Sequence, residues 1–580
     1  MPQHDTESRP GSTEPSRLGR LLPITDWLPK YRGSWLRPDL IAGITVAALV
    51  VPKSLGYATI AGVPIQYGLY AAAAGAILYA LFGSSGQIAT GPSSALAAVA
   101  AGALVSAGIS AGGEDAVAMV AAITLVSGLL FLLMAIFKMG WISQFLSKPV
   151  ITGFLFGAAI QVVIGELPKI TGTEIEGSNS WEKLWSWIQS LPDTDAATLA
   201  VGMTSLVIIF GLKIVAPKVP GALVLVVLGL VASVALDLES RGVALIGDVP
   251  SGLPSLVLPD LEFITANFTV IITAAIGLLL IGFSQTAGDA RAFASKHRYR
   301  VDINQESAAQ GWCNVGSGLV QGIPVSTSLS ASSLNDTSGA KSQVASLTTG
   351  VVVVLTMLFL APLFSDLPTA VLAALIIQAV VSGMMDVPEM RRLYRVLRMD
   401  FWIAIVALLG VLTAGVLAGV LIGVFLSLGY IIYLSASPDM PVLGRHRNSQ
   451  AFRNVEDDPD TTTYPGVLVM RIDVSLYFAN SEAPEDRLRV VTETADPPLR
   501  AIVLSFEGIN FIDSQAADAI GKIVDLAHGR DIDIRLSRIK SRVQTVLGAD
   551  GVIDRLGEDK IFLTTYDAVR DLVEPEDQTS

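Results

Sequence analysis

Between residues 40 and 434 the chain alternates long apolar runs with short polar breaks. The runs fall at 40–60, 67–82, 91–105, 117–137, 150–167, 199–215, 221–236 and 268–286. They continue at 303–322, 326–334, 344–364, 367–385, 401–417 and 418–434. A helix needs about 20 predominantly apolar residues to cross the hydrocarbon core of a bilayer, so this spacing predicts a polytopic α-helical membrane protein. Fourteen segments are expected, two of them half-length, with the division between the seventh and the eighth near residues 239–262. An even count puts both ends of the membrane region on one side.

Loop charge orients that layout. Lys138 and Lys148, Lys213 and Lys218, Arg291, Lys296, Arg298 and Arg300, and Arg391, Arg392, Arg395 and Arg398 fall in one set of loops. The other set is acidic, with Glu114 and Asp115, Glu174, Glu176, Glu182, Asp193 and Asp195, then Asp237, Glu239, Asp248, Asp260 and Glu262. Basic loops stay in the cytosol, so both termini are expected there. Residues 1–37 are polar, without the apolar core of a signal peptide, and are expected as a disordered cytosolic tail. The membrane region then runs from 38 to 435, with halves at about 38–237 and 263–435.

Past residue 434 the text changes. Residues 436–465 are polar and acidic, the composition of a linker. From 466 to 573 strand patterns at 467–478, 501–506 and 532–539 alternate with helical spacing at Ala517, Ile520, Val524 and Ala527. This predicts a cytosolic α/β domain, followed by a short tail at 574–580.

One stretch breaks the membrane pattern. Residues 322–335 lie deep in the apolar region, yet are nearly half Ser and Thr and begin with Pro324. A weaker echo, Thr90-Gly91-Pro92-Ser93-Ser94-Ala95-Leu96, occurs in the first half. Paired short, Gly/Pro-broken segments in two halves of a membrane protein point to a transport site. Half-helices that start in mid-membrane leave free N–H groups and a positive dipole end, which hold an anion.

Composition narrows the classes. Hydrophobic residues make up 51% of the 580 and charged residues 16%, and mean hydropathy is +0.57. A net charge of −13 with no basic stripe argues against nucleic acid. Cys313 is the single cysteine, and His4, His297, His446 and His528 form no metal-binding pair, so no metal or other cofactor is expected. No Gly-x-x-x-x-Gly-Lys-Ser/Thr loop and no nucleophile–base constellation is present, which disfavours an ATP-driven pump and an enzyme.

Several short motifs, taken in order, resemble the SulP family of anion transporters, the sulfate-permease and prestin type with a C-terminal STAS domain. They are Val63-Pro64-Ile65-Gln66-Tyr67-Gly68-Leu69-Tyr70, Ile88-Ala89-Thr90-Gly91-Pro92 and Tyr299-Arg300-Val301-Asp302-Ile303-Asn304-Gln305-Glu306. Pro324-Val325-Ser326-Thr327-Ser328-Leu329-Ser330, Leu367-Pro368-Thr369-Ala370-Val371-Leu372 and the STAS-like loop Gly508-Ile509-Asn510-Phe511-Ile512-Asp513-Ser514 complete the set. The resemblance covers roughly residues 20–573. It implies two inverted seven-segment repeats, a mobile core domain working against a gate domain, and a homodimer. It places a substrate site between the starts of the third and tenth segments, lined by the first and eighth.

On that basis Ser93, Ser94, Ser326, Thr327, Ser328 and Ser330 are candidate anion-binding hydroxyls; their bland reading is close helix packing. Relatives commonly carry a cation just after the serine that matches Ser330, where this chain has Ala331. Where relatives have a neutral glutamine, this chain has Lys53. A mid-membrane lysine costs about 2.5–3.5 kcal/mol on insertion scales. Lys53 is therefore expected to supply the charge that Ala331 lacks, with snorkelling to one membrane face as the rival reading. Tyr57, one turn on, would wall the same cavity. The acidic position of relatives on the eighth segment matches Gln285; Asp289 one turn further is the candidate to couple a proton in its place, with a position at the cytosolic mouth beside Arg291 as the rival reading, and exchange or sodium coupling through helix-end carbonyls is the alternative mode. Glu306 and Asn304 read first as structural. Ser514 sits where related STAS proteins are phosphorylated, but Asp513 or Ser514 reads first as a helix cap.

The function expected is secondary transport of sulfate, bicarbonate, chloride or a small dicarboxylate by alternating access across a bacterial plasma membrane. The rivals are an anion channel, a membrane sensor or scaffold acting through the STAS domain, and a neutral nucleobase carrier. Coupled, saturable uptake excludes the channel, uptake after deletion of the STAS domain excludes the sensor, and Lys53 argues against a neutral substrate.

Overall fold

Each of the fourteen apolar runs is occupied by a helix in the computed structural model, which describes residues 19, 22–139, 147–177, 179–216, 219–436, 438–447 and 449–573. Residues 1–18, Lys218 and the tail 574–580 lie outside the described residues. The first half comprises α1 (Leu36–Ile60), α2 (Gln66–Phe82), β1 (Thr90–Pro92), α3 (Ser94–Ala107), α4 (Glu114–Ile136), α5 (Lys148–Thr171), α6 (Ser180–Ser190), α7 (Ala196–Val215) and α8 (Gly221–Ala235). The second half comprises α9 (Phe268–His297), α10 (Ile303–Leu319), β2 (Val325–Thr327), α11 (Leu329–Thr337), α12 (Val344–Leu355), α13 (Thr369–Gly383), α14 (Val387–Val396), α15 (Arg398–Ala414) and α16 (Val416–Ala436). Seven of the described helices, α1 and α9 among them, are long and apolar enough to cross a membrane on length and composition.

The helices pack in two groups. α1 lies on α2 and α12, and α4 lies on α10 and α9. In the other group α5 lies on α13 and α15, and α7 on α13. Small residues allow these approaches: a side chain at Gly68 would collide with the Ser54 carbonyl, and one at Gly153 with that of Ala404.

The structure departs from the hydropathy pattern at informative places. Neither broken segment is helical from its start. Thr90–Pro92 and Val325–Thr327 form an antiparallel pair with Thr90 opposite Thr327, and helix resumes only at Ser94 and Leu329. Pro92 and Pro324 have no N–H to give a helix, and inside a membrane the remaining backbone groups must find protein partners. The expected 268–286 segment runs on as helix to His297, so Asp289 lies within α9 rather than at a loop mouth. The expected 344–364 segment is helical only to Leu355; a π turn at Thr356–Leu360 and a 3-10 turn at Ala361–Asp366, with Pro362 near its start, complete it. α6 and α14 are amphipathic helices that a search for apolar runs passes over. Residues 24–35, expected as part of a disordered tail, form short helical turns at Ile24–Trp27, Leu28–Lys30 and Gly33–Trp35.

A second compact unit spans residues 428–580. Its centre is a parallel sheet in the order β6 (Val467–Arg471), β7 (Ala501–Ser505), β8 (Asp533–Ser537) and β9 (Ile561–Phe562). Residues 436–465, expected as a linker, instead hold a three-stranded antiparallel sheet of β3 (Leu443–His446), β4 (Phe452–Asn454) and β5 (Thr461–Thr462). Leu443 is buried with Val467, Val469, Ala501 and Val503. The polar composition belongs to the outward positions; inward, Leu443 shares its cluster with Phe452 and Tyr464 while Met440 and Val442 pack on the other core, and these fix the segment to the domain. A soluble fragment 438–573 is therefore expected to melt above 466–573. Losing the burial of Leu443 alone, about 1.5–3 kcal/mol, lowers Tm by roughly 8–15 °C in a domain of this size. Equal melting temperatures by circular dichroism would restore the linker reading.

Candidate functional site

The β1–β2 pair is held by polar side chains of α10 and α11. Asn314 on α10 donates to the Val325 carbonyl (2.9 Å) and accepts from the Val325 N–H (3.0 Å). Gln310, one turn earlier, donates to the Thr90 hydroxyl at 2.9 Å. The Ser332 hydroxyl accepts from the Ala89 N–H at 2.9 Å, and the Ser328 N–H reaches the Ala89 carbonyl at 3.1 Å. The pair is thus a fixed ladder, and α3 and α11 leave from its opposite ends.

Lys53 faces the start of α11. Its Nζ lies 3.3 Å from the Ser330 hydroxyl, which lies 3.3 Å from that of Ser328. Ser328 caps α11, accepting from the Ala331 N–H at 3.3 Å. Among the described residues no carboxylate pairs with Lys53; the ammonium looks instead at hydroxyls and at the positive end of a helix dipole. A cation held there gains little from the protein.

A cavity of about 30 Å³ opens at this point, lined by Val50, Lys53, Tyr57, Thr90, Ser328 and Ser346 among others. That volume suits one water-sized group and is far below a drug-sized pocket of about 300–1,000 Å³. Ala331 is also on its wall, packed with Val46 and Ala89, so the α11 side of the cavity is apolar at that position. The Tyr57 side chain is buried at the cavity wall. Ser93 is the residue before α3 but makes no side-chain cap.

The structure does not gather every candidate at the cavity. Ser326 is buried with its hydroxyl 3.4 Å from the Gly282 carbonyl on α9. Thr327 donates to Asp289 Oδ2 at 2.8 Å. Gln285, one turn before Asp289, has a buried Oε1 without a hydrogen-bond partner. β2 therefore separates two polar faces: Lys53 with Ser328 and Ser330 on one, and Gln285 and Asp289 with Thr327 on the other. Like Lys53, Asp289 has no ion pair among the described residues.

Sequence reasoning missed Ser346, whose hydroxyl is buried at the cavity without a partner. It also missed the clamp, although Asn304, Gln305, Gln310 and Asn314 crowd one apolar run, and intramembrane polar residues are costly enough to mark function. Glu306 is structural: it is buried, and accepts from the Tyr79 hydroxyl (2.6 Å) and the Ser84 N–H (3.0 Å). In the second unit, Asp513 caps the helix Ser514–His528 through the Ala516 N–H at 2.9 Å. Ser514 is its exposed first residue.

With this geometry in hand, the comparisons with known proteins are specific. The model of the sulfate permease family matches residues 36–407, and that of the STAS domain matches 458–572. A probable sulfate transporter of Mycobacterium tuberculosis is 34% identical over 542 residues, covering 93% of this chain and 96% of the relative. The chloroplastic sulfate transporter 4.1 of Arabidopsis thaliana is 31% identical, covering 95% and 82%. Among solved structures, the murine Solute Carrier 26 family member A9 anion transporter in its inward-facing state superposes with a TM-score of 0.86 at 23% identity, over 98% of this chain and 96% of that one. The transmembrane domain of a cyanobacterium bicarbonate transporter gives 0.60 at 23% identity, over 69% and 99%. These structural likenesses concern the fold. The chain belongs to the sulfate permease family.

Proposed function

We propose that this protein carries a small anion across a membrane as a secondary transporter, by alternating access of the group containing α1, α3, α9 and α11. The observation that supports this most is Lys53. An ammonium with no acidic partner among the described residues faces two serine hydroxyls at a helix start, beside a small cavity. The names of relatives at 31–34% identity put sulfate first, ahead of bicarbonate, chloride and a small dicarboxylate. Asp289, bonded to Thr327 and to no cation among the described residues, is the position we assign to a coupling proton or sodium ion. The loop charges favour cytosolic termini in a bacterial plasma membrane, and the family resemblance favours a homodimer.

The test begins with thermal shifts of the purified protein across a panel of anions, followed by proteoliposome uptake of those that stabilise it. Saturable uptake driven by a proton or sodium gradient is expected for at least one. A linear, uncoupled flux would replace the carrier by a channel. Stabilisation by no anion at all would sink the reading. Uptake that survives deletion of residues after 436 would exclude a sensor whose output is the STAS domain.

A further inference from the structure

α14 is a short amphipathic helix joined at both ends to apolar helices. It follows α13 after three residues and enters α15 through Leu397 alone. Its inner face carries Leu393 and Glu389, both buried. Glu389 is fully engaged: Arg392 grips it with two bonds of 2.8 and 2.7 Å, and Lys148 of α5 approaches to 3.1 Å. That engagement leaves Arg391, Arg395 and Arg398 exposed and, among the described residues, without a carboxylate partner. Arg398 instead lies over the Tyr394 ring, 6.0 Å from its centroid.

The exposed surface around these guanidinium groups is apolar. Tyr394, Val396, Leu397, Met399 and Trp402 are each more than two-fifths exposed, and the strip continues along α15 through Val406 and Leu409. Basic groups bordered by Tyr, Trp and aliphatic side chains are the pattern of a helix lying in the membrane interface. We propose that α14 is a binding site for anionic phospholipid, with Arg391, Arg395 and Arg398 holding the headgroup phosphate while Tyr394, Leu397, Met399 and Trp402 sit among the upper acyl chains. Guanidinium suits phosphodiester oxygens because its planar fork offers paired N–H donors. A lipid is favoured over a soluble acidic partner because the apolar strip runs on along α15, an apolar helix of the region matched by the sulfate permease family. A one-residue connection also keeps α14 at the membrane boundary.

The full-length protein in uncharged detergent is titrated with dioctanoyl-phosphatidylglycerol, dioctanoyl-phosphatidylcholine, glycerol phosphate and soluble polyglutamate, and melting is followed. Each arginine near an anionic headgroup is worth about fivefold in affinity, so phosphatidylglycerol is expected to bind at least about tenfold tighter than phosphatidylcholine. R391Q/R395Q/R398Q is expected to bring the two lipids within about twofold, whereas the corresponding triple lysine variant keeps most of the preference. Should the triple glutamine variant fail to fold, R395Q alone is expected to lose about fivefold. No preference in the wild type, or a preference that survives all three glutamines, overturns the proposal. Equal stabilisation by glycerol phosphate or polyglutamate also overturns it, since the site would then serve a soluble anion.

Discussion

Lys53→Gln is expected to lower uptake at subsaturating anion by about 10- to 150-fold while raising the melting temperature of the substrate-free protein. The first effect follows from the bond being lost. A hydrogen bond to a charged group contributes about 1.5–3 kcal/mol, and each 1.4 kcal/mol is a factor of ten. The second follows from the missing partner. Lys53 Nζ meets Ser330 at 3.3 Å and no carboxylate among the described residues, so the protein holds a half-buried cation with little return. Glutamine removes that cost and keeps a donor. The two signs together separate a binding role from a structural one. Loss of uptake with a lower melting temperature would mark Lys53 as a packing residue. Unchanged uptake in proteoliposomes would remove it from the site.

The opposite signs also explain how the family pattern can shift. The family resemblance implies a cation directly after the serine at the start of the half-helix; here Ala331 occupies that place and packs with Val46 and Ala89. Lys53 approaches the same serines from α1. A cavity with one ammonium needs that charge near the helix start, and two different backbones supply such a point.

The sequence made the outline of the molecule readable because lipid imposes one rule on every segment: apolar side chains and an internally bonded backbone. Fourteen runs became fourteen helices for that reason. The rule says nothing about where a helix starts inside the membrane, so the ladder of Thr90 with Thr327 was invisible to hydropathy. It is equally silent on helices that lie along the boundary, and α6 and α14 were missed. Within the site, Lys53 stood out because a lone charge in an apolar run is conspicuous. Ser346 did not, since serine is common in packed membrane helices and only its unpartnered burial singles it out. Ser326 and Thr327 were grouped with Ser328 and Ser330 on proximity in sequence. Ser326 and Thr327 sit on β2 and both bond to α9, whereas Ser328 caps α11 and Ser330 lies in its first turn, towards Lys53.

Asn314→Leu is expected to disable the site from behind. Asn314 is buried and pairs with both the N–H and the C=O of Val325, the residue that begins β2, and also donates to Gln310 O at 3.0 Å. Leucine has a similar volume but satisfies neither Val325 group. Two buried backbone groups left unpaired cost about 1–3 kcal/mol each, so the variant should lose roughly 2–6 kcal/mol. β2 sets the positions of Ser328 and Ser330, and a shift of this strand carries both hydroxyls away from Lys53. Uptake below one-tenth of wild type is expected, with a lower melting temperature and a weaker thermal shift from the substrate anion. Ser326→Ala provides the contrast, because it removes only one long bond of 3.4 Å to Gly282 O and should change melting by little. If Asn314→Leu matched Ser326→Ala in both stability and uptake, pairing with β1 would hold the strand by itself. The hydroxyls would then owe their placement to the ladder and not to α10.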